Sequence, residues 1–251
     1  MNDMQGKVVF VTGSARRVGR AIALAFAAQG ASCIIHYSSA SSADDASTAA
    51  EAVRAYGGDV LVVQGNQASS ADVNAMFAAV QHHFGRLDVM VNSASIFMRG
   101  DLLNLAEAEW DTVLDTNLKG PFLLTQQAGR LMQANDGGVI INISDNSGLH
   151  PWANRPHHSV SKAGLIMLTQ VSALALAPYR VRVNCVVPGP VLVPADADES
   201  VLSEIAAGLP VQHIGNPANI ADACLFLVRN PFTTGSVLHV DGGERLVGGQ
   251  T

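Results

Sequence analysis

The chain has 251 residues, 48% of them hydrophobic and 14% charged, which is enough for one large core and too apolar for a disordered chain. A net charge of −6 lacks the basic excess of a phosphate-backbone binder, so nucleic acid is not an expected partner. The opening MNDMQGKVVFVTG has no basic region followed by a long apolar run, and no uninterrupted run of about 20 apolar residues occurs; no membrane association is expected, and the protein reads as cytoplasmic.

In chain order, KVVFVTG (7–13) reads as a buried strand and RVGRAIALAFAAQG (17–30) as a helix closed by glycine, with a glycine turn between them. ASCIIHY is the second apolar run, followed by an alanine-rich helical segment over 42–58. DVLVVQG precedes a helix over 70–85, and LDVMVNSAS precedes two helical stretches around residues 105–134. GGVIINIS leads to a long helical segment from about 158 to 177, VRVNCVVPG to short helices within 197–229, and SVLHVDGG closes the pattern.

Seven apolar runs alternating with amphipathic segments predict an α/β fold: a single-domain, Rossmann-type doubly wound parallel sheet of about seven strands over 1–251, undivided by any linker. Such sheets bind ligands at the carboxyl ends of their strands, where Thr12-Gly13, His36-Tyr37, Asn66, Asn92, Asp145 and Pro188-Gly189 fall. The segment AGLIMLTQVSALALAPY (163–179) is apolar almost all round, so one face is expected on the sheet and the other on a second subunit. The predicted assembly is a homodimer or homotetramer through the helices around 105–134 and 158–177. Cys33, Cys185 and Cys224 are odd in number, distant in sequence and set in apolar runs, which predicts buried free thiols and no metal site.

TGSARRVGRAIA places Gly13 and Gly19 in a strand-to-helix turn whose N–H groups suit a pyrophosphate, with Arg17 where a dinucleotide fingerprint has its middle glycine. Arg16 and Arg17, with Ser38 and Ser39 beyond the second strand in place of an acidic residue, favour a ribose 2′-phosphate. NADP(H) is therefore the expected cofactor.

The motifs TGxxxxxG, NSAS, DTNLKG, SK, VNCVVPG and VDGG, in that order along the whole chain, resemble the short-chain dehydrogenase/reductase family. TGSARRVGRAIA, HYSSAS, NSASIF and INISD further resemble its pteridine reductase branch, which includes dihydromonapterin reductases. The resemblance implies hydride transfer to a carbonyl or imine carbon of a small-molecule substrate. It places Gly13, Arg16, Arg17, Val18, Gly19, His36, Tyr37, Ser38, Ser39, Asn66, Gln67, Asn92, Ala94, Ser95, Lys162, Pro188, Gly189 and Val191 at the cofactor. Phe97, Asp145 and His158 would meet the substrate, Phe97 stacking on a pterin ring, and residues 189–215 would form a lid.

Asn117, Asp145, His158 and Lys162 are the implied catalytic set. Asn117 would support a water-linked relay, and Lys162 would hold the nicotinamide ribose. His158, four residues before Lys162, stands where relatives have tyrosine, and Asp145 where they have serine. Three readings stay open: His158 is the proton donor, Asp145 donates while His158 assists, or the protein binds NADP(H) with impaired catalysis. HPWANRPHH (150–158) gathers Trp152, Arg155 and three histidines beside this site, and Arg155 with Arg99 would attract an anionic substrate.

Overall fold

The computed structural model describes residues 4–192 and 198–247. Seven strands form one sheet: β1 (Val8–Val11), β2 (Ser32–Tyr37), β3 (Val60–Gln64), β4 (Val89–Asn92), β5 (Gly138–Ile143), β6 (Val181–Pro188) and β7 (Val237–Val240). Their order is β3-β2-β1-β4-β5-β6-β7 and every neighbouring pair is parallel. The chain reverses its direction of travel across the sheet between β1 and β4, which opens a crevice at their carboxyl ends.

Side chains alternate across each strand, so Val9 and Val11 enter one core while Val8 and Phe10 enter the other. On the first face lie α1 (Arg17–Ala27), α2 (Ala43–Arg54) and α8 (Pro217–Arg229), with Ile22, Phe26, Ala49 and Ile220 buried. On the second lie α3 (Ser70–Phe84), α5 (Gly120–Ala134) and α6 (Pro156–Leu176), with Phe77, Leu124, Met132 and Ala173 buried. Strands covered on both faces must be apolar throughout, which is why these runs show no polar alternation.

The two helical stretches around residues 105–134 run into one another. α4 (Glu107–Leu114) passes through a π turn, Asp115–Lys119, directly into α5. Such a turn carries one extra residue per hydrogen-bonded ring and rotates side chains off the helical register. Asn117 lies in it, 1% exposed.

By length and hydropathy alone Pro156–Tyr179 could cross a bilayer. In the fold its inner face packs on β5 and β6 and buries Ser161, Lys162 and Thr169. Its outer face carries Met167, Val171 and Leu174 at i, i+4 and i+7, with Leu174 81% exposed. Of the expected lid, residues 193–197 lie outside the described residues, and the remainder holds α7 (Glu199–Ala207).

Candidate active site

The nucleotide end is built from backbone. Gly13 ends β1 with φ of 65°, and a β-carbon there would come within 3.1 Å of Ala94 Cα. A β-carbon on Gly19 would sit 2.5 Å from the Gly13 carbonyl oxygen, so the turn closes only with glycine at both places. Thr12 Oγ1 accepts from the amides of Ser93 and Ala94, both at 3.0 Å, which clamps the β4 loop against the turn.

The N-terminus of α1 has no side-chain cap and no acidic residue in its first turn, so its amides and dipole are open to an anion. Arg17 adopts φ of 55° where glycine would be at ease, is exposed, and makes no ion pair among the described residues. Arg16 pairs with Asp45 and donates to the Ser41 carbonyl, which anchors it beside the exposed Ser38 and Ser39. These donors, without a free carboxylate at the end of β2, fit a phosphorylated dinucleotide. Val18, Tyr37, Pro188 and Val191 are half-buried around this crevice.

Three expected cofactor contacts turn inward instead. The His36 ring is 1% exposed: Nδ1 accepts from the Gly13 amide at 3.0 Å and Nε2 faces the Gly65 carbonyl at 2.9 Å. Both nitrogens are taken, so His36 shapes the turn and has no polar atom left for a ligand. Gln67 is buried and its Nε2 donates to the carbonyls of Ala94 and Thr116. Asn92 donates to Asn142 Oδ1 at 2.7 Å, and Asn142 in turn to Thr169 Oγ1 at 2.9 Å. This polar chain crosses from β4 to α6. Their positions at strand ends suggested ligand contacts, but pairing partners 23 to 50 residues away claimed the side chains. Asn66 stays exposed, with Oδ1 accepting from the Ala68 amide, and Gly189 packs its backbone on Asp241.

At the reactive end, the structure brings Asn117, Asp145, His158 and Lys162 together. His158 is 1% exposed, and its Nε2 lies 2.7 Å from Asp145 Oδ2. Nδ1 sits 3.2 Å from the Ile96 carbonyl oxygen and 3.3 Å from Asn117 Nδ2. Asn117 is held by the same loop: its Oδ1 accepts from the Ile96 amide and Ser95 Oγ, and its Nδ2 donates to the Ile96 carbonyl. Asp145 also accepts from the amide and hydroxyl of Ser147.

Burial raises the Asp145 carboxyl, but the His158 bond, the Lys162 charge and Ser147 outweigh it and hold it at about 2. It is ionised at neutral pH. Lys162 is buried, which lowers its ammonium against the opposing pull of Asp145, and Nζ donates to the Ile143 carbonyl at 3.1 Å.

Phe97, 56% exposed, meets the His158 ring edge-on at 4.8 Å between centroids. Trp152 stacks parallel to His158 at 6.3 Å, and the Arg155 guanidinium lies 3.6 Å from the Phe97 ring centre. One face of Phe97 is therefore covered by Arg155. Phe97, Asp145, Asn146 and Trp152, with the loop from Pro188 to Leu192 and Glu244, line a cavity of about 320 Å³.

Sequence reasoning missed the Ile96 carbonyl, because a backbone acceptor has no residue signature, and it missed Asn146, whose Nδ2 donates to Glu244 98 positions away. Ser161 could have been found from its place between His158 and Lys162, one turn beyond the histidine; Asn117 Nδ2 lies 3.3 Å from its hydroxyl. Cys33, Cys185 and Cys224 are buried and free, with burial pushing the Cys33 and Cys185 thiols up to about 12.

A family model described as enoyl-(acyl carrier protein) reductase matches residues 13–244. The 3-oxoacyl-(acyl-carrier-protein) reductase of Synechocystis sp. is 35% identical over 247 residues, covering 97% of this chain and 98% of its own. The 3-oxoacyl-(acyl-carrier-protein) reductase of Staphylococcus aureus is 36% identical over 243 residues, covering 94% and 97%. Among solved structures, a blue fluorescent protein from a metagenomic library, in complex with NADPH, matches with a TM-score of 0.87 at 33% identity over 96% of this chain and 98% of that one. A mutant short-chain dehydrogenase/reductase of Serratia marcescens matches with a TM-score of 0.88 at 33% identity, again over 96% and 98%. With the switch-point crevice, the glycine turn and these full-length matches in hand, the chain belongs to the short-chain dehydrogenase/reductase family.

Proposed function

We propose that this protein is an NADP(H)-dependent reductase of carbonyl or imine groups in which His158 delivers the proton. One observation carries the reading: His158 bridges an ionised Asp145 and a pair of groups of opposite sense, the Asn117 amide and the Ile96 carbonyl. Nδ1 thus has an acceptor when it carries hydrogen and a donor when it does not, so the ring has a partner in both protonation states. Asp145, held at about 2, has no proton of its own to give at neutral pH; it orients His158 and stands between that ring and the cavity.

When bound, the nicotinamide cofactor supplies the hydride. Gly13, Gly19 and the start of α1 would hold its pyrophosphate, Arg17, Ser38 and Ser39 its 2′-phosphate, and Lys162 its ribose. As the substrate carbon gains hydride and its π bond to oxygen or nitrogen breaks, the Nε2 proton of His158 would pass by way of Asp145, which lines the cavity, to that heteroatom, and His158 would be reprotonated from solvent. The names of the relatives, two 3-oxoacyl reductases and an NADPH complex, support the cofactor and the carbonyl chemistry. The intact constellation around His158 argues against an impaired binding protein. The exposed Phe97 ring makes a pterin a second candidate substrate, and the bare stripe of Met167, Val171 and Leu174 supports a homo-oligomer built on α6.

The test follows NADPH and NADH oxidation with a 3-oxoacyl thioester, simple ketones and a dihydropterin, for the native protein and His158→Ala. NADPH oxidation should exceed NADH oxidation by about tenfold or more, and His158→Ala should lose roughly 10²- to 10⁴-fold in rate. Equal rates for the two proteins would refute the role of His158.

A further inference from the structure

Beside the candidate site lie two cations that the proposed chemistry does not use. Arg155 precedes α6 directly, and its guanidinium carbon lies 3.6 Å from the ring centre of Phe97, a wall of the 320 Å³ cavity. A guanidinium held over a ring face keeps its N–H edges free for another partner. None of those edges has a hydrogen-bond or ion-pair partner among the described residues. Arg99 lies on the neighbouring loop, which is tied to the Arg155 loop by a 3.0 Å bond from the Gly100 amide to the Asn154 carbonyl.

Arg99 also makes no ion pair among the described residues. Asp101, two residues on, is occupied by its own turn through the Leu103 amide and Asn104. Burial lowers the Arg155 guanidinium, and the charge of Arg99 lowers it further against the weaker pull of Asp145. Asp145 itself is committed to His158 and Ser147. Two arginines on joined loops, neither with an ion-pair partner among the described residues, repel one another. That arrangement suits a ligand that brings negative charge.

We infer that Arg155, assisted by Arg99, is the seat for an oxyanion carried by the substrate, so that the preferred substrate is a compact carbonyl compound bearing a carboxylate or phosphate. The inference rests on the placing of the reactive centre at His158. The stacked fork offers two parallel N–H groups to one anionic group. A cavity of this size takes a small molecule with its reacting carbon at Asp145, the partner of His158, and its anionic end toward Phe97, over whose ring Arg155 lies.

The experiment measures binding apart from turnover. With NADP⁺ present so that no reduction occurs, quenching of tryptophan fluorescence would be titrated with 3-oxobutanoate, its methyl ester and dihydroxyacetone phosphate, for the native protein, Arg155→Gln, Arg155→Lys and Arg99→Gln. The native protein should bind an anionic probe about tenfold or more tighter than the ester. Which anion wins separates carboxylate from phosphate. The preference should vanish in Arg155→Gln, return in part in Arg155→Lys, shrink about threefold in Arg99→Gln, and weaken with added salt. Equal binding of acid, phosphate and ester by the native protein, or a preference untouched in both glutamine variants, would overturn the inference. Anion-selective binding without NADPH oxidation by any substrate would support it while removing the reductase reading.

Discussion

The two ends of the crevice are made of different material. The nucleotide end is mostly main chain: two glycines that nothing larger can replace, the open amides of α1 and a threonine clamp. The reactive end is mostly side chain: Asn117, Asp145, His158 and Lys162, reaching inward from a π turn, the end of β5 and the first turns of α6. A site of backbone amides keeps its function through many side-chain changes as long as its shape holds. A site of side chains keeps its shape through changes that alter its chemistry. That is how a histidine and an aspartate could stand at the positions proposed to react while the glycine turn keeps its pattern.

This contrast can be broken at either end. The largest effect is expected from Gly19→Val, whose β-carbon would meet the Gly13 carbonyl at 2.5 Å and force the turn open. Calorimetric titration should show NADPH affinity falling by more than about 100-fold, with a stability loss of about 1–3 kcal/mol. Retained affinity would mean that the turn is not the phosphate seat.

Asp145→Asn is next. It preserves shape and removes charge, so the rate should fall roughly 10²-fold while NADPH binding persists. It should also change acid stability. The carboxyl is held at about 2, below its unfolded value of about 3.9, so its contribution is full above about pH 4 and is lost as the pH falls toward 2. Acid unfolding followed by circular dichroism should show that part of the profile, on the order of 2 kcal/mol, flattened in Asp145→Asn. An unchanged acid transition would sever the proposed anchor. The smallest of the three is Ser39→Asp, which sets a carboxylate where the 2′-phosphate is proposed to lie. NADPH affinity should fall about tenfold and NADH affinity should not, and equal losses would relocate the phosphate.

The sheet was legible in the chain because its strands are buried on both faces, so each appears as an unbroken apolar run between glycine turns. The carboxyl ends of those runs located the crevice. Contacts across the sequence were not legible: His36 pairs with Gly13 and Gly65, Gln67 with Thr116, and Asn146 with Glu244, distances of 23 to 98 residues that no local pattern encodes. The π turn was hidden for another reason. DTNLK itself has no proline or glycine, and the Gly120-Pro121 that follows it reads as a break between two helices where the chain in fact continues through the π turn into α5.

The inward ring of His36 has its own consequence. One imidazole rivets three strand ends, accepting from the turn after β1 while facing the carbonyl after β3 from its own place in β2. To accept from Gly13, Nδ1 must be bare, and burial favours that neutral form by lowering the ring's affinity for a proton. The rivet is therefore secure above the ordinary histidine range near 6.5 and fails only once the pH drops well beneath it. Its failure would loosen the phosphate cradle first. Acid would then reach this protein by two separate routes, through cofactor grip at His36 and through the charge of Asp145.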